Sequence, residues 1–168
     1  MKPQDLLVLL KLVAQEKREW NQRMLKDELS MSLSEVSQSL KRLSTAKLYN
    51  PVTKQVLRRS AFEFLSHGMK YVFPPELGAM KKGIPTAHSA PPLAEQFIFD
   101  ESESYVWPDP KGTVRGQSLK PIYRSMPEAA AKDSELHELL ALVDAIRAGR
   151  VREANLAKKQ LEAKFLPS

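Results

Sequence analysis

The chain of 168 residues has no cysteine. That excludes a disulfide framework, a thiolate zinc site and a cysteine nucleophile. It agrees with an expected cytoplasmic location. No apolar run approaches the ~18–20 residues that a bilayer-spanning helix needs; the longest are short, such as Leu6 to Leu10. The N-terminal run lacks a small-residue cleavage site and is interrupted by Asp5 and Lys11, so it reads as a helix rather than a signal peptide and no membrane partner is expected. Aromatics are only 7%, so Leu, Val and Ala must fill most of the core. The three histidines, His67, His88 and His137, stand far apart, without H-x-x-x-H or H-E-x-x-H spacing. There is no G-x-S-x-G elbow, no Walker loop and no G-x-G-x-x-G. The expectation is therefore no enzyme, no metal and no cofactor. His88 lies beside Thr86 and Ser89, but neighbours in sequence are not a triad, and a hydrogen bond within a loop is the simpler role.

What is present is positive charge in one half. The net charge is +6. Residues 1–84 carry 15 Lys and Arg against eight Asp and Glu, whereas residues 85–168 carry 11 against 12. Such asymmetry points to an anionic partner for the first half, nucleic acid before an anionic membrane surface.

That half has a readable helical plan. Residues 3–18 show a 3.6-residue apolar period through Leu6, Leu9, Leu10 and Val13, and Pro3 suits a first turn. Asn21 is placed to cap a short helix over 22–29 carrying Met24, Leu25 and Leu29. A turn at Ser30-Met31-Ser32 follows. Ser32 and Glu35 form an S-x-x-E capping box ahead of a third helix. At 100° per residue, Leu33, Val36, Leu40 and Leu43 fall within about 80° of one another. The opposite face carries Ser34, Gln38, Lys41, Arg42 and Thr45, with Glu35 at its edge. Its chemistry suits a DNA groove: Gln pairs bidentately with adenine, Ser reaches several base edges, and Lys and Arg hold guanine or phosphate.

The segment MLKDELSMSLSEVSQSLKRLSTAKLY resembles the helix-turn-helix core of bacterial winged-helix transcriptional regulators, including MarR-type proteins. Leu25, Leu29, Val36, Ser37, Leu40, Leu43 and Leu48 match the pattern; Ser30 stands where Gly is frequent, and Gln38 where many relatives carry Arg. The resemblance implies a dimeric, double-stranded-DNA-binding regulator, in its commonest form a repressor. Ser34, Ser37, Gln38 and Lys41 would then lie at base edges. Arg42, Arg58 and Arg59 would lie on phosphates, with Lys81 and Lys82 as further backbone contacts. The segments EFLSHGMKYVFP, YVWPDPKGTVRG and ELLALVDAIRAGRVREANLAKKQLE resemble bacterial winged-helix proteins of unsettled role. Some proteins of this general sort are antitoxins of abortive-infection type IV systems, which implies an alternative: an antitoxin, or a protein-interaction adaptor, with a toxin as partner.

The middle of the chain departs from a simple wing. Residues 49–54 are turn-prone with weak strand signal. A short amphipathic segment over 59–67 ends at Gly68, Lys70–Phe73 reads as a strand, and Pro74-Pro75 stops it. Residues 74–93 hold five prolines and read as a loop, with Lys81 and Lys82 at a Gly-flanked tip that is either an enlarged wing or a mobile surface loop. Residues 95–110 carry five acidic side chains and no Lys or Arg. Tyr105–Trp107 reads as a strand that pairs with Tyr71–Phe73, Thr113–Arg115 as another, and Trp107 as a core anchor. From Pro127 the chain turns helical, with one stripe of Leu136, Leu139, Leu140, Val143 and Ile146 and a second of Val151, Ala154, Ala157, Leu161 and Phe165, divided at Gly149. This hairpin either packs on the first helix or joins two chains. Asp144 is placed to pair with Arg147 or Arg150.

The expected fold is α+β, predominantly α. It comprises a winged helix-turn-helix over 1–73, an extended loop with a small antiparallel sheet over 74–126, and a helical association element over 127–168.

Overall fold

Pro3 opens helix α1 (Pro3–Ala14), where its missing N–H removes no hydrogen bond, and the Asp5 carboxylate accepts the Lys2 amide at 2.8 Å to close the first turn. The computed structural model describes residues 1–167. The α1 sequence is apolar on every side, and Leu6, Leu7, Val8, Leu9, Leu10, Leu12 and Val13 are all buried. A helix of this kind belongs at the centre of a core. It ends four residues earlier than the periodicity predicts, because the apolar stripe stops at Val13 and residues 15–18 turn back toward α2.

The charges that interrupt the α1 run are buried as well, and they are paired. Asp5 is fully buried against Arg42, and Lys11 reaches Asp133 at 2.7 Å and Glu28 at 3.3 Å. Burial alone would raise the Asp5 pKa. Hydrogen bonds from Arg42, the Lys2 amide and Ser39 outweigh it and hold the carboxyl below its ordinary value. The same balance lowers Asp133, through Lys11 and the Leu136 amide, and Glu28, through Arg18 and Lys11. A carboxylate held low in the fold contributes stability that is complete above its unfolded pKa, ~4, and is lost as pH falls through the lowered folded value. Melting temperature followed by circular dichroism should therefore be level above pH ~5 and fall below pH ~4. Asp133→Asn, which keeps a capping oxygen for α7 but removes the charge, should flatten that fall; an unchanged acid limb would refute the assignment.

Helix α2 (Gln22–Leu29) starts as expected, with Asn21 Oδ1 accepting the Met24 amide at 2.9 Å. It ends at Ser30 in the left-handed region, φ 52°. Helix α3 (Leu33–Thr45) is capped by Ser32 Oγ, which accepts the Glu35 amide at 3.0 Å. The reciprocal half of the capping box is absent, because the Glu35 carboxylate turns instead to Tyr123 and Arg124. Val36, Leu40 and Leu43 are buried, whereas Leu33, at the first helical position, is exposed. A hairpin follows: β1 (Tyr49–Asn50) pairs antiparallel with β2 (Gln55–Val56), and Asn50 Oδ1 accepts the Val52 amide to shape the tip.

Four expectations for the middle are corrected. Lys70–Phe73 is not a strand: α4 (Arg58–His67) passes through Gly68 into a single turn, α5 (Met69–Val72), that buries Met69. Gly68 caps α4 as expected, its amide donating to the Phe64 carbonyl, with φ at −104°. Residues 74–93 are not a loop throughout. They contain β3 (Leu77–Thr86), the longest strand, which pairs antiparallel with both β4 (Tyr105–Pro108) and β5 (Val114–Leu119). Because β4 and β5 pair in parallel, the three strands close into a small barrel rather than an antiparallel sheet, and Tyr105–Trp107 pairs with β3, not with Tyr71–Phe73.

The chain finishes with α6 (Met126–Ala131), α7 (Ser134–Ala148) and α8 (Val151–Phe165). The α7 stripe is buried within the chain, packed on α1 and on α8 through Ala157, Leu161 and Phe165. It is therefore not free to join a second copy. Val151, at the start of the α8 stripe, is exposed. One continuous apolar cluster takes residues from α1 to Phe165, including Trp107. Trp107 anchors the barrel as expected. Its Nε1 donates to Asp144 at 2.8 Å, Thr86 Oγ1 donates to the same carboxylate at 2.6 Å, and Arg147 pairs with it at 3.0 Å. Among the described residues no helix is long and apolar enough to cross a membrane.

Candidate nucleic-acid interface

Helix α3 presents a polar face clear of the core. Ser34, Gln38 and Lys41 are exposed and Ser37 is half-buried. Gln38 Nε2 donates to Ser34 Oγ at 3.1 Å, which holds both polar ends together one turn above the N-terminus. Lys41 has no carboxylate partner among the described residues. The start of α2 and the β1–β2 hairpin flank this face, enclosing a groove of about 740 Å³ lined by Asn21, Ser37, Lys41, Tyr49 and Lys54. Trp20 closes it, its ring 6.4 Å from Tyr49 and 5.8 Å from the Lys54 ammonium.

The expected site residues divide into three groups. Ser34, Ser37, Gln38 and Lys41 come together as one surface, and Arg59 is exposed at the start of α4. Arg42 and Arg58 do not join them. The Arg42 guanidinium is held on Asp5 by three hydrogen bonds of 2.9–3.1 Å. Arg58 is held on Glu16 and on the carbonyls of Lys164 and Phe165, where it ties α4 to the end of α8. Each guanidinium is thus anchored by a carboxylate, with its Nε and Nη2 committed inside the chain rather than presented with the α3 polar face. Lys81 and Lys82 are exposed, but on the ladder of β3 rather than at a loop tip.

Sequence reasoning missed three groups. Lys54 sits at the hairpin tip in the left-handed conformation, φ 57°, which a turn-prone Asn50-Pro51 stretch foreshadows. Arg23 is exposed in the first turn of α2, legible from its position after the cap. Arg124 comes from 89 residues beyond Glu35. Tyr123 donates to Glu35 at 2.7 Å, and Arg124 lies 3.6 Å from the same carboxylate at the start of α3. No local signal reveals that pairing. Burial raises the Tyr123 pKa, and its bond to Glu35 raises it further, so the phenol is a fixed donor.

Two of the three histidines make scaffold contacts. His88 Nε2 contacts the Glu103 carbonyl at 2.8 Å, and His137, half-buried rather than on an open helix surface, contacts the Pro85 carbonyl at 2.8 Å beside Trp107. No protein-family model, curated protein or solved structure matches the chain.

Proposed function

We propose that the chain is a winged-helix protein that reads double-stranded DNA and regulates transcription, as a repressor in the simplest case. In this reading α2, the Ser30 turn and α3 form a helix-turn-helix, and the β1–β2 hairpin is a short wing. The observation that carries it is the free polar face of Ser34, Ser37, Gln38 and Lys41. It projects from a buried, capped helix, with Lys54 across the groove and Arg124 against Glu35 in the first turn. A recognition helix needs that combination: base-reading side chains on a rigid element, with phosphate contacts on either side. A homodimer, which would place two such helices ~34 Å apart, must use a surface other than the α7 stripe.

Fluorescence anisotropy with the DNA upstream of the protein's own coding sequence, and with a scrambled duplex, tests the proposal at two salt concentrations. The upstream duplex should bind more tightly. Gln38→Ala should lower discrimination at particular base pairs by ~1–3 kcal/mol. Lys41→Ala should either do the same or weaken all duplexes alike and reduce the salt slope by about one. Equal binding of both duplexes, unaltered by Gln38→Ala, would sink the reading.

A second reading, a protein-binding adaptor or antitoxin, is favoured by one feature. Ile98 is fully exposed between Phe97 and Phe99, within a stretch bearing Glu95, Asp100, Glu101 and Glu103. Ile98→Asp would separate the two. It should leave DNA affinity intact in the first reading and abolish co-purification of a partner protein in the second.

A further inference from the structure

We infer, on the DNA-binding reading above, that the barrel carries a second contact surface: a basic ladder on β3 and β5 that holds the sugar-phosphate backbone beyond the bases α3 reads. In the antiparallel register Lys82 stands directly opposite Arg115, so both side chains leave the same face of the sheet. Both are exposed. Like charges in that relation destabilise a sheet by ~0.2–1 kcal/mol unless an anion lies between them. Among the described residues neither has a carboxylate within ion-pair distance, nor have Lys81 and Lys111.

The backbone is built to bring a third cation to the same place. A Cβ on Gly112 would stand 2.4 Å from the Gly83 backbone, and one on Gly83 would stand 2.0 Å from the Trp107 carbonyl. Only glycine lets these segments touch. The contact, with the Asp109 amide donating to the Lys82 carbonyl at 3.1 Å, seats the turn that carries Lys111 against the Lys82 end of β3. Asp109 is the acidic group at this tip, and its Oδ1 accepts the Lys111 amide at 2.8 Å. Lys81 leaves the opposite face, where its partner Gly116 contributes no side chain. The face bearing Lys82 also carries Ile84 and Thr86, which pack toward α7. Where β3 runs past that helix the same face turns basic.

The chain leads from the ladder to the first turn of α3. From Arg115, β5 runs about 13 Å to Leu119, at ~3.3 Å per residue. The chain then passes Lys120, paired with Glu76 at 3.2 Å, and reaches Tyr123 and Arg124 against Glu35 in the first turn of α3. One strand of B-DNA offers a phosphate every ~3.4 Å of helix axis, so the β5 run alone matches about four phosphates. Exposed lysine and arginine without carboxylates, arrayed on a rigid ladder, suit a repeating anion.

The test compares wild type, K82Q/R115Q and Q38A by anisotropy on upstream and scrambled duplexes over a salt series, with hydroxyl-radical footprints. Removing the like-charge pair should leave melting temperature unchanged or higher, so misfolding does not confuse the result. K82Q/R115Q should lower the salt slope by about two on every duplex, at ~0.9 per phosphate, and shorten the footprint on one side only. Q38A should keep the slope and lose discrimination. A double variant with the wild-type slope and footprint would overturn the ladder while leaving the DNA reading intact. A wild type that binds no duplex at low salt would overturn both.

Discussion

Replacing Asp144 by alanine should destabilise the fold by about 3–5 kcal/mol, the range for breaking a buried ion pair from one side. Three donors from three parts of the chain converge on this carboxylate: Thr86 Oγ1 at the end of β3, Trp107 Nε1 on β4, and the Arg147 guanidinium one turn along α7. Asp144 is fully buried and the Arg147 side chain is 2% exposed. Alanine would leave a buried cation without its counter-charge, and an indole N–H and a hydroxyl without an acceptor. For a domain of this size the melting temperature should fall by roughly 6–20 °C, and urea unfolding should give the free energy directly. Asp144→Asn should lie between, since the amide oxygen still serves Trp107 or Thr86 but carries no charge. Asp144→Ala combined with Arg147→Met should recover part of the loss, because no buried charge then remains. Recovery should be incomplete, since Arg147 also donates to the Phe73 carbonyl at 2.8 Å. A loss below about 1 kcal/mol for Asp144→Ala would mean the cluster does not hold the barrel on α7.

Arg42→Ala should cost about 2–3 kcal/mol of stability and leave the salt dependence of DNA binding unchanged. The sequence places Arg42 on the polar face of α3, one residue from Lys41, and nominates it for phosphate. The structure turns its guanidinium inward onto Asp5, joining α3 to the first turn of α1. Without it the Asp5 carboxylate keeps the Lys2 amide and loses its cation while still buried. The guanidinium is about a quarter exposed, which sets the expected loss below that at Asp144. Asp5 should also titrate higher in the variant, shifting acid unfolding toward neutral pH. Lys41→Ala serves as the contrast: little change in stability, and an altered binding profile. If Arg42→Ala lowers the salt slope with no loss of stability, the ion pair opens on DNA and the original nomination of Arg42 stands.

The helices around the α3 polar face were legible because their signals are local. Asn21 and Ser32 cap within three residues, and the 3.6-residue period of Val36, Leu40 and Leu43 requires no knowledge of the partner. The exposure of Ser34, Gln38 and Lys41 follows from the same arithmetic. What escaped was decided at long range. The β3 sequence LGAMKKGIPT has two glycines, a proline and two lysines, a poor strand by composition. It is a strand because β4 and β5 flank it on both sides, and one of its glycines permits a contact no larger residue allows. Lys70–Phe73 has the opposite character, with strand-forming residues that follow α4 into another helical turn and bury Met69. The fates of Arg42 and Arg58 were hidden for the same reason: their partners lie 37 residues or more away in sequence.

Because α1 is covered on one side by α3 and on another by α7, its leucines have no complete shelter until the last helices exist. At ~5–20 residues per second, a ribosome needs roughly 8–30 s to travel from Leu6 to Phe165. For much of that interval the α1 leucines that face α7 stand uncovered, while α2 and α3 shelter the others. A fragment ending near residue 73 would stay in that condition permanently. The helix that backs the α3 polar face is thus fully covered only once α7 has been made.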